Sequence, residues 1–183
     1  GSALVQMALH EGAEVYATAG SDEKIEALKG LGVHHAINYR KEDFFEVIKR
    51  EGVRLDVVFD SIGGSSVKKG CKLLGAGGSM VLYGAAQFNG ANIFKKISTF
   101  LRFGFYHPIH FMSKSQSMIG VNMLRLADYK ADKIQACLHG VVKGVQEGWL
   151  DPTVGGVYPI ENLAQAHNDL GQRKTTGKVT VTW

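Results

Sequence analysis

The chain has 183 residues, 45% of them hydrophobic and 21% charged, with a formal net charge of +4. That balance suits one globular domain with a full core, and no run approaches the roughly 18 to 20 apolar residues that a membrane span needs. The positive charge is too small and too dispersed to argue for nucleic acid, although it suits an anionic cofactor.

The elements alternate along the chain. A helix is expected from Ser2 to Glu11, with Leu4, Met7 and Ala8 apolar, and Gly12 stops it. A strand follows over Ala13–Ala19. Ser21 then caps a second helix, with Asp22 and Glu23 in its first turn and Ile25, Leu28 and Leu31 on one face. A short strand, His35–Asn38, leads to a helix over Lys41–Arg50. The run "LDVVFDSIGG" reads as a buried strand entering a turn. A helix over Ser65–Leu74 and a strand, "SMVLYGAA", complete the alternation. These spacings fit βαβ crossovers, hence a parallel sheet with helices on both faces.

Beyond Ala86 the character changes. An aromatic and basic stretch carries an expected helix near Ile93–Phe103 and then a loop. A strand over Ser117–Met123 follows. A long helix over Asp128–Glu147 should bury Ile134, Leu138, Val141, Val142 and Val145. "WLDPTVGGVYP" ends in a strand, Pro159–Leu170 is helical, and "GKVTVTW" closes the chain as a strand.

The first fifteen residues, "GSALVQMALHEGAEV", start directly in a helix. In a dinucleotide-binding fold, a first strand enters a glycine-rich turn that opens the first helix, whose N-terminus faces the pyrophosphate. Gly1 would be the last glycine of that turn, so the first strand is expected upstream of Gly1. Without it, the second and fourth strands of the 3-2-1-4-5-6 order would flank a gap. The fingerprint also asks for an acid at the end of the second strand, to hold the ribose 2′-hydroxyl of NAD. Here that strand ends "ATAGSDEK", with Gly20 or Ser21 in the place of the acid. A 2′-phosphate is then not repelled. Ser21 offers a hydroxyl, Lys24 a positive charge, and Tyr39 and Arg40 end the next strand. The pattern favours NADP over NAD. Asp22 and Glu23 count against it unless they point outward, and the simpler reading of Ser21 as an N-cap and Lys24 as a solvated lysine stays open.

Other signals are weaker. Cys71 and Cys137 make neither a disulfide framework nor a zinc set, and suit a reducing cytoplasm. Cys71 has Lys69 and Lys72 nearby, which would lower its pKa, but an inert buried thiol is the plainer expectation. His107 and His110 flank Pro108 and read as loop histidines rather than metal ligands. No nucleophile–base pair emerges. Hydride transfer needs none, because a nicotinamide carries the chemistry, so no catalytic residue is assigned.

The segments "ATAGSDEKIEALKGLGVHHAINYRKEDF", "DVVFDSIGG", "MVLYGAA", "MIGVNM", "GWLDPTVGGVYPIENLAQAH" and "TGKVTVT" together resemble the quinone oxidoreductase (zeta-crystallin) branch of the medium-chain dehydrogenase/reductases. "GGSSVKKGCKLLGAGGSMVLYG" and "FYHPIHFMSKSQSMIGVNML" resemble the synaptic vesicle membrane (vesicle amine transport) protein homologues within it. The resemblance implies a Rossmann-type doubly wound parallel sheet lacking its first strand. It implies an NADP-binding domain over 1–150 and a tail, 151–183, that returns to an N-terminal barrel domain. Position by position, Gly1 matches the end of the glycine turn, and Gly20 and Ser21 the end of the second strand. Lys24 matches the lysine on the adenosine 2′-phosphate, and Tyr39 the aromatic beside the adenine ribose. Gly64 lies where the chain leaves the fourth strand. Gly84, Ala85 and Ala86 leave the fifth strand near the nicotinamide ribose. Val121, Asn122 and Met123 match the strand end that meets the carboxamide.

The resemblance implies a zinc-independent oxidoreductase that reduces a quinone, activated alkene or carbonyl with NADPH. Two further readings stay open: a vesicle- or membrane-associated NADP-binding adaptor without turnover, and an enoyl-reductase module of a multidomain synthase. The stretch Ile93–Phe111 reads as a cleft lid, an interface element or a membrane-surface patch. Packing against the barrel domain is favoured over membrane association. The strand Ser117–Met123, following the fifth strand, is expected at the sheet edge, where pairing with a second copy would give a homodimer.

Overall fold

The computed structural model describes residues 1–84, 98, 101, 103–172 and 174–183. Ala85, Ala86 and most of the aromatic-basic stretch lie outside the described residues. The described chain is α/β, its strands paired in parallel throughout. It packs as two compact units, Gly1–Phe44 with Ala136–Trp183, and Phe45–Gln135.

In the first unit, α1 (Ser2–His10), β1 (Tyr16–Ala19), α2 (Asp22–Gly30) and β2 (His35–Asn38) follow one another. β1 and β2 pair from Tyr16 against His35 to Ala19 against Asn38. Val5, Val15 and Val33 are buried together, with Leu9, Leu28 and Ala36 packed against them. On α2, Leu28 and Leu31 face this core as the spacing predicts, but on α1 the buried side is Val5 with Ala8 and Leu9 rather than the expected Leu4, Met7 and Ala8, and Met7 is 41% exposed. The C-terminal part of the unit is a second crossover. β6 (Val154–Pro159) and β7 (Lys178–Thr182) pair in parallel, joined through a 3-10 turn, Ile160–Asn162, and a helix over Leu163–Gly171. Gln6 ties α1 to this part: its amide donates to the Asp151 carbonyl at 2.8 Å and accepts from the Asp151 N–H at 2.6 Å. One turn on, His10 stacks on Trp149, with ring centroids 4.1 Å apart.

In the second unit, a three-stranded sheet has the order β3-β4-β5, with β3 at Leu55–Asp60, β4 at Leu74–Leu82 and β5 at Ser117–Gly120. α3 (Phe44–Arg50) precedes β3, and α4 (Ser65–Leu73) crosses from β3 to β4. Met80 and Val67 are fully buried, with Cys71 and Leu74 beside them and Val58, Leu82 and Met118 packed around. α5 (Pro108–Lys114) leads into β5. α6 (Met123–Tyr129) follows it, and α7 (Ala131–Gln146) carries the chain from this unit into the first.

Four expectations change. β1 starts at Tyr16 rather than Ala13. α3 starts at Phe44 rather than Lys41, because Lys41 and Glu42 donate their N–H groups to the Asn38 carbonyl and hold a turn instead. β5 ends at Gly120 rather than Met123, because the Asn122 side chain accepts from the Arg125 N–H and caps α6. The helix expected over Asp128–Glu147 is two helices, broken at Lys130 with φ −144° and ψ 47°. Its apolar stripe is also uncovered: Leu138 is 59% exposed and Val142 53%. Periodicity marks a face as apolar, but only a partner surface buries it.

Among the described residues β1 pairs with β2 alone and β3 with β4 alone. The two strands expected to flank the first strand thus each keep an unpaired edge, and Val57 and Phe59 on β3 are about half exposed. No described helix is long and apolar enough to cross a membrane.

Met80 touches both α4 and its own sheet, so shortening it leaves a cavity that neither can close. Met80→Ala is expected to cost about 2 to 4 kcal/mol of stability, read as a lowered midpoint in urea unfolding.

Candidate functional site

The first group of expected site residues gathers at the carboxyl ends of β1 and β2. Ser21 is extended and caps α2, its hydroxyl accepting from the Lys24 N–H at 3.4 Å. Lys24 therefore sits on the first turn of the helix that leaves β1. The Tyr39 N–H donates to the Ala19 carbonyl at 3.0 Å, which carries the β1–β2 ladder one residue further. The Tyr39 side chain lies over Gly20, where a Cβ would collide with the phenol hydroxyl. Glycine at 20 is what lets the ring cover the strand end, and Tyr39 is 46% exposed there. Gly20, Ser21, Lys24 and Tyr39 thus form one surface. Gly1, in the same unit, is the N-cap of α1 and makes no side-chain cap.

Asp22 does not simply point outward. Its carboxylate accepts from Lys41 Nζ at 2.7 Å and from Asn38 Nδ2 at 2.9 Å. Lys41 beside it, and Asn38 after that, hold the carboxyl below its ordinary pKa. Asn38 in turn accepts from the Arg40 N–H at 3.1 Å. These contacts pin the turn carrying Tyr39 to the start of α2. Sequence reading missed Asn38 and Lys41, because their partner lies 16 and 19 residues away and only strand pairing brings them close.

The second group lies at the carboxyl ends of β3, β4 and β5. Asp60, 7% exposed, accepts from the Ile62 and Gly63 N–H groups, both at 2.7 Å. Its own carbonyl accepts from the Tyr83 N–H at 3.1 Å. Gly64, with φ 67° and ψ −128°, then starts α4 without a side-chain cap. Gly84 packs against this turn, where a Cβ would stand 2.9 Å from the Ser61 carbonyl oxygen. The Val121 N–H donates to the Leu82 carbonyl at 2.8 Å. Leu82, Tyr83, Gly84, Val121, Asn122 and Met123 line an open groove of about 610 Å³. Four expected site residues, Gly84, Val121, Asn122 and Met123, are therefore neighbours around one concavity. Asp60 was not anticipated, although an Asp shortly before a tight glycine turn is the signature of a side chain that bonds its own loop.

Other candidates carry no chemistry. Cys71 is buried, and burial pushes its thiol up, against a smaller opposite pull from the Tyr106 hydroxyl. His107 caps α5, its Nδ1 accepting from the Ile109 N–H. His110 lies within α5 rather than in a loop, its ring edge-on to Tyr106 and Phe111. Among the described residues no group of three or more His, Cys, Asp or Glu side chains could hold a metal ion.

The profile described as zinc-binding dehydrogenase matches residues 1–136. The chain is 30% identical to the 2-haloacrylate reductase of a Burkholderia species, over 99% of this chain and 51% of that protein. It is 28% identical to the synaptic vesicle membrane protein VAT-1 homolog of Danio rerio, over 92% of this chain and 35% of that protein. Among solved structures, the quinone oxidoreductase of Thermus thermophilus, determined also in complex with NADPH, superposes with a TM-score of 0.77. It shares 27% identity over all of this chain and 54% of its own. The chain spans about half the length, or less, of the curated relatives it matches.

Asp60 is the group on which the second cluster hangs. Asp60→Ala would leave the Gly63 N–H buried and unpaired, at about 2 kcal/mol of stability. Asp60→Asn keeps a carbonyl acceptor and should lose less. Chemical denaturation of the two variants beside wild type measures the difference.

Proposed function

The chain belongs to the zinc-binding dehydrogenase family, and from that premise we propose that it is the NADP(H)-binding part of a zinc-independent oxidoreductase. The observation that carries this reading is the surface made by Gly20, Ser21, Lys24 and Tyr39 at the carboxyl ends of two parallel strands. A nucleotide's adenosine half binds at such strand ends. Here the Ser21 hydroxyl and the Lys24 ammonium suit a 2′-phosphate, and Tyr39 offers a ring face to the ribose. Gly1 would take the pyrophosphate end of α1, where backbone N–H groups and the helix dipole favour an anion. Gly64, Gly84, Val121, Asn122 and Met123 would hold the nicotinamide half through backbone groups and a shaped wall. Ala85 and Ala86 belong to the same proposal by sequence.

NADPH, when bound, supplies a hydride to an electron-poor carbon. The chain's own part is to orient the ring and exclude water, and no side chain here is assigned a proton transfer. The substrate proposed is a quinone, activated alkene or carbonyl. The likeness to a 2-haloacrylate reductase supports the alkene, since a haloacrylate is one. The vesicle- or membrane-associated adaptor reading has only the likeness to the synaptic vesicle membrane protein VAT-1 homolog in its favour, and the synthase module has no separate observation.

A homodimer through β5 is part of the proposal. β5 is the outer strand of its sheet, and Ile119 on it is 46% exposed. The Val121 N–H turns inward to Leu82, so alternation turns the Ile119 N–H inward as well, and those of Met118 and Gly120 outward. A proline at Ile119 would break the sheet itself. A proline at Gly120, where a Cβ meets nothing within 4 Å, would remove an outward donor instead.

Two measurements follow, both on the full-length protein. NADPH should bind more tightly than NADH, and Lys24→Ala should narrow the gap by about 1 to 2 kcal/mol, the value of a charge-assisted hydrogen bond. Fluorescence titration of both nucleotides reads this, and equal wild-type affinities would overturn the NADP assignment. In sedimentation, Gly120→Pro should shift a dimer toward monomer while circular dichroism stays unchanged. An unaltered dimer would move the interface away from β5.

A further inference from the structure

Asp22 is the residue that suits an NADP site least. It follows Ser21 directly, in the first turn of α2, and a bare carboxylate there would repel a 2′-phosphate that carries up to two negative charges. The structure does not leave it bare. Lys41 Nζ stands 2.7 Å from one carboxylate oxygen and Asn38 Nδ2 2.9 Å from the other. Both partners come from the end of β2 and the turn after it, on either side of Tyr39 in sequence.

We infer that Lys41 sets the preference for a 2′-phosphorylated nucleotide by neutralising Asp22. The inference rests on the NADP reading above and deepens it. Asp22 is useful as a clasp, since it joins α2 to the turn that places Tyr39 over Gly20. Its charge is a liability at the same spot. Lys41 removes the liability and keeps the clasp. The pair is exposed, 64% and 68% on its two side chains, so it contributes little to folding stability. Its effect falls on an anion arriving within a few ångströms, inside the screening length at physiological salt. Lys41 is a positioning residue, acting on the ligand through Asp22 rather than by touching it.

The test uses the full-length protein and two nucleotide fragments, 2′,5′-ADP and 5′-AMP, which differ only in the 2′-phosphate and need no turnover. Calorimetry gives the ratio of their affinities. Lys41→Ala should lower the preference for 2′,5′-ADP by about fivefold, the size of one uncompensated charge at short range in a partly solvated site. Lys41→Arg should restore it. Asp22→Asn alone should raise the preference, and the Asp22→Asn, Lys41→Ala double variant should return the ratio to within about twofold of wild type, because the pair is neutral in both.

An unchanged ratio in Lys41→Ala overturns the inference. So does a double variant whose ratio stays well below wild type, which would mean that Lys41 binds the phosphate itself. A matching loss of both fragments overturns it too, since that marks a structural role. A wild-type protein that binds the two fragments equally overturns the NADP reading, and this inference with it.

Discussion

Two parallel strands cannot be joined by a tight turn, and each connection must cross the sheet, usually as a helix. The carboxyl end of a strand is therefore followed at once by the amino end of a helix. Every feature of the candidate site depends on that constraint. β1 hands over to α2 at Ser21, β3 to α4 at Gly64, and β5 to α6 at Asn122. All three hand-over residues are helix N-caps. Two of them cap through a side chain. At the third, backbone with positive φ leaves the helix end without a side chain over it. A helix N-cap presents N–H groups and the positive end of a dipole. Any preference for anions at such a strand end is thus a property of chain topology before it is a property of any one side chain.

Much of this was legible in the sequence, because it is local. A serine followed by two acids and an apolar stripe marks α2, and the helix starts there as read. The alternation of strand and helix gives the parallel pairing, and β5 lies at the edge of its sheet. What was not legible is tertiary. In the sequence Asp22 counts against NADP unless it faces outward as a helix-start charge; in the fold it takes two partners from the turn after β2. The same turn delays α3 to Phe44. Asn122 looked like a strand residue, because its side-chain bond to Arg125 cannot be seen in an alternating pattern. The stripe of Leu138, Val141 and Val142 was read as buried. A sequence can show that a face is apolar but not what covers it, and these residues remain exposed. Ala85 and Ala86 fall outside the described residues and rest on the resemblance alone.

The two clusters of candidate residues are built by different physics. At the β1–β2 end, side chains act: a hydroxyl, two ammonium groups, a carboxylate and a phenol, mostly exposed and open to screening. At the β3–β4–β5 end the groove is lined mostly by apolar side chains and glycine, beside a turn fixed by one buried carboxylate that accepts two N–H groups. The first end can discriminate between charged groups with little effect on folding. The second end is set by packing, and changes in it are felt as changes in stability.

The contact between Gln6 and Asp151 joins residues 145 positions apart. The unit it closes is split in sequence, its first part at Gly1–Phe44 and its last at Ala136–Trp183, whereas the other unit is a single continuous run. Closing so long a loop costs entropy before any contact compensates for it, and such closures slow folding. On a ribosome, the continuous unit has its whole sequence available first. The discontinuous one waits for the segment from Ala136 onward, although α1 already has Val15, Leu28 and Val33 to pack against. The clasp that completes the discontinuous unit thus forms only after both of its sequence segments have been made.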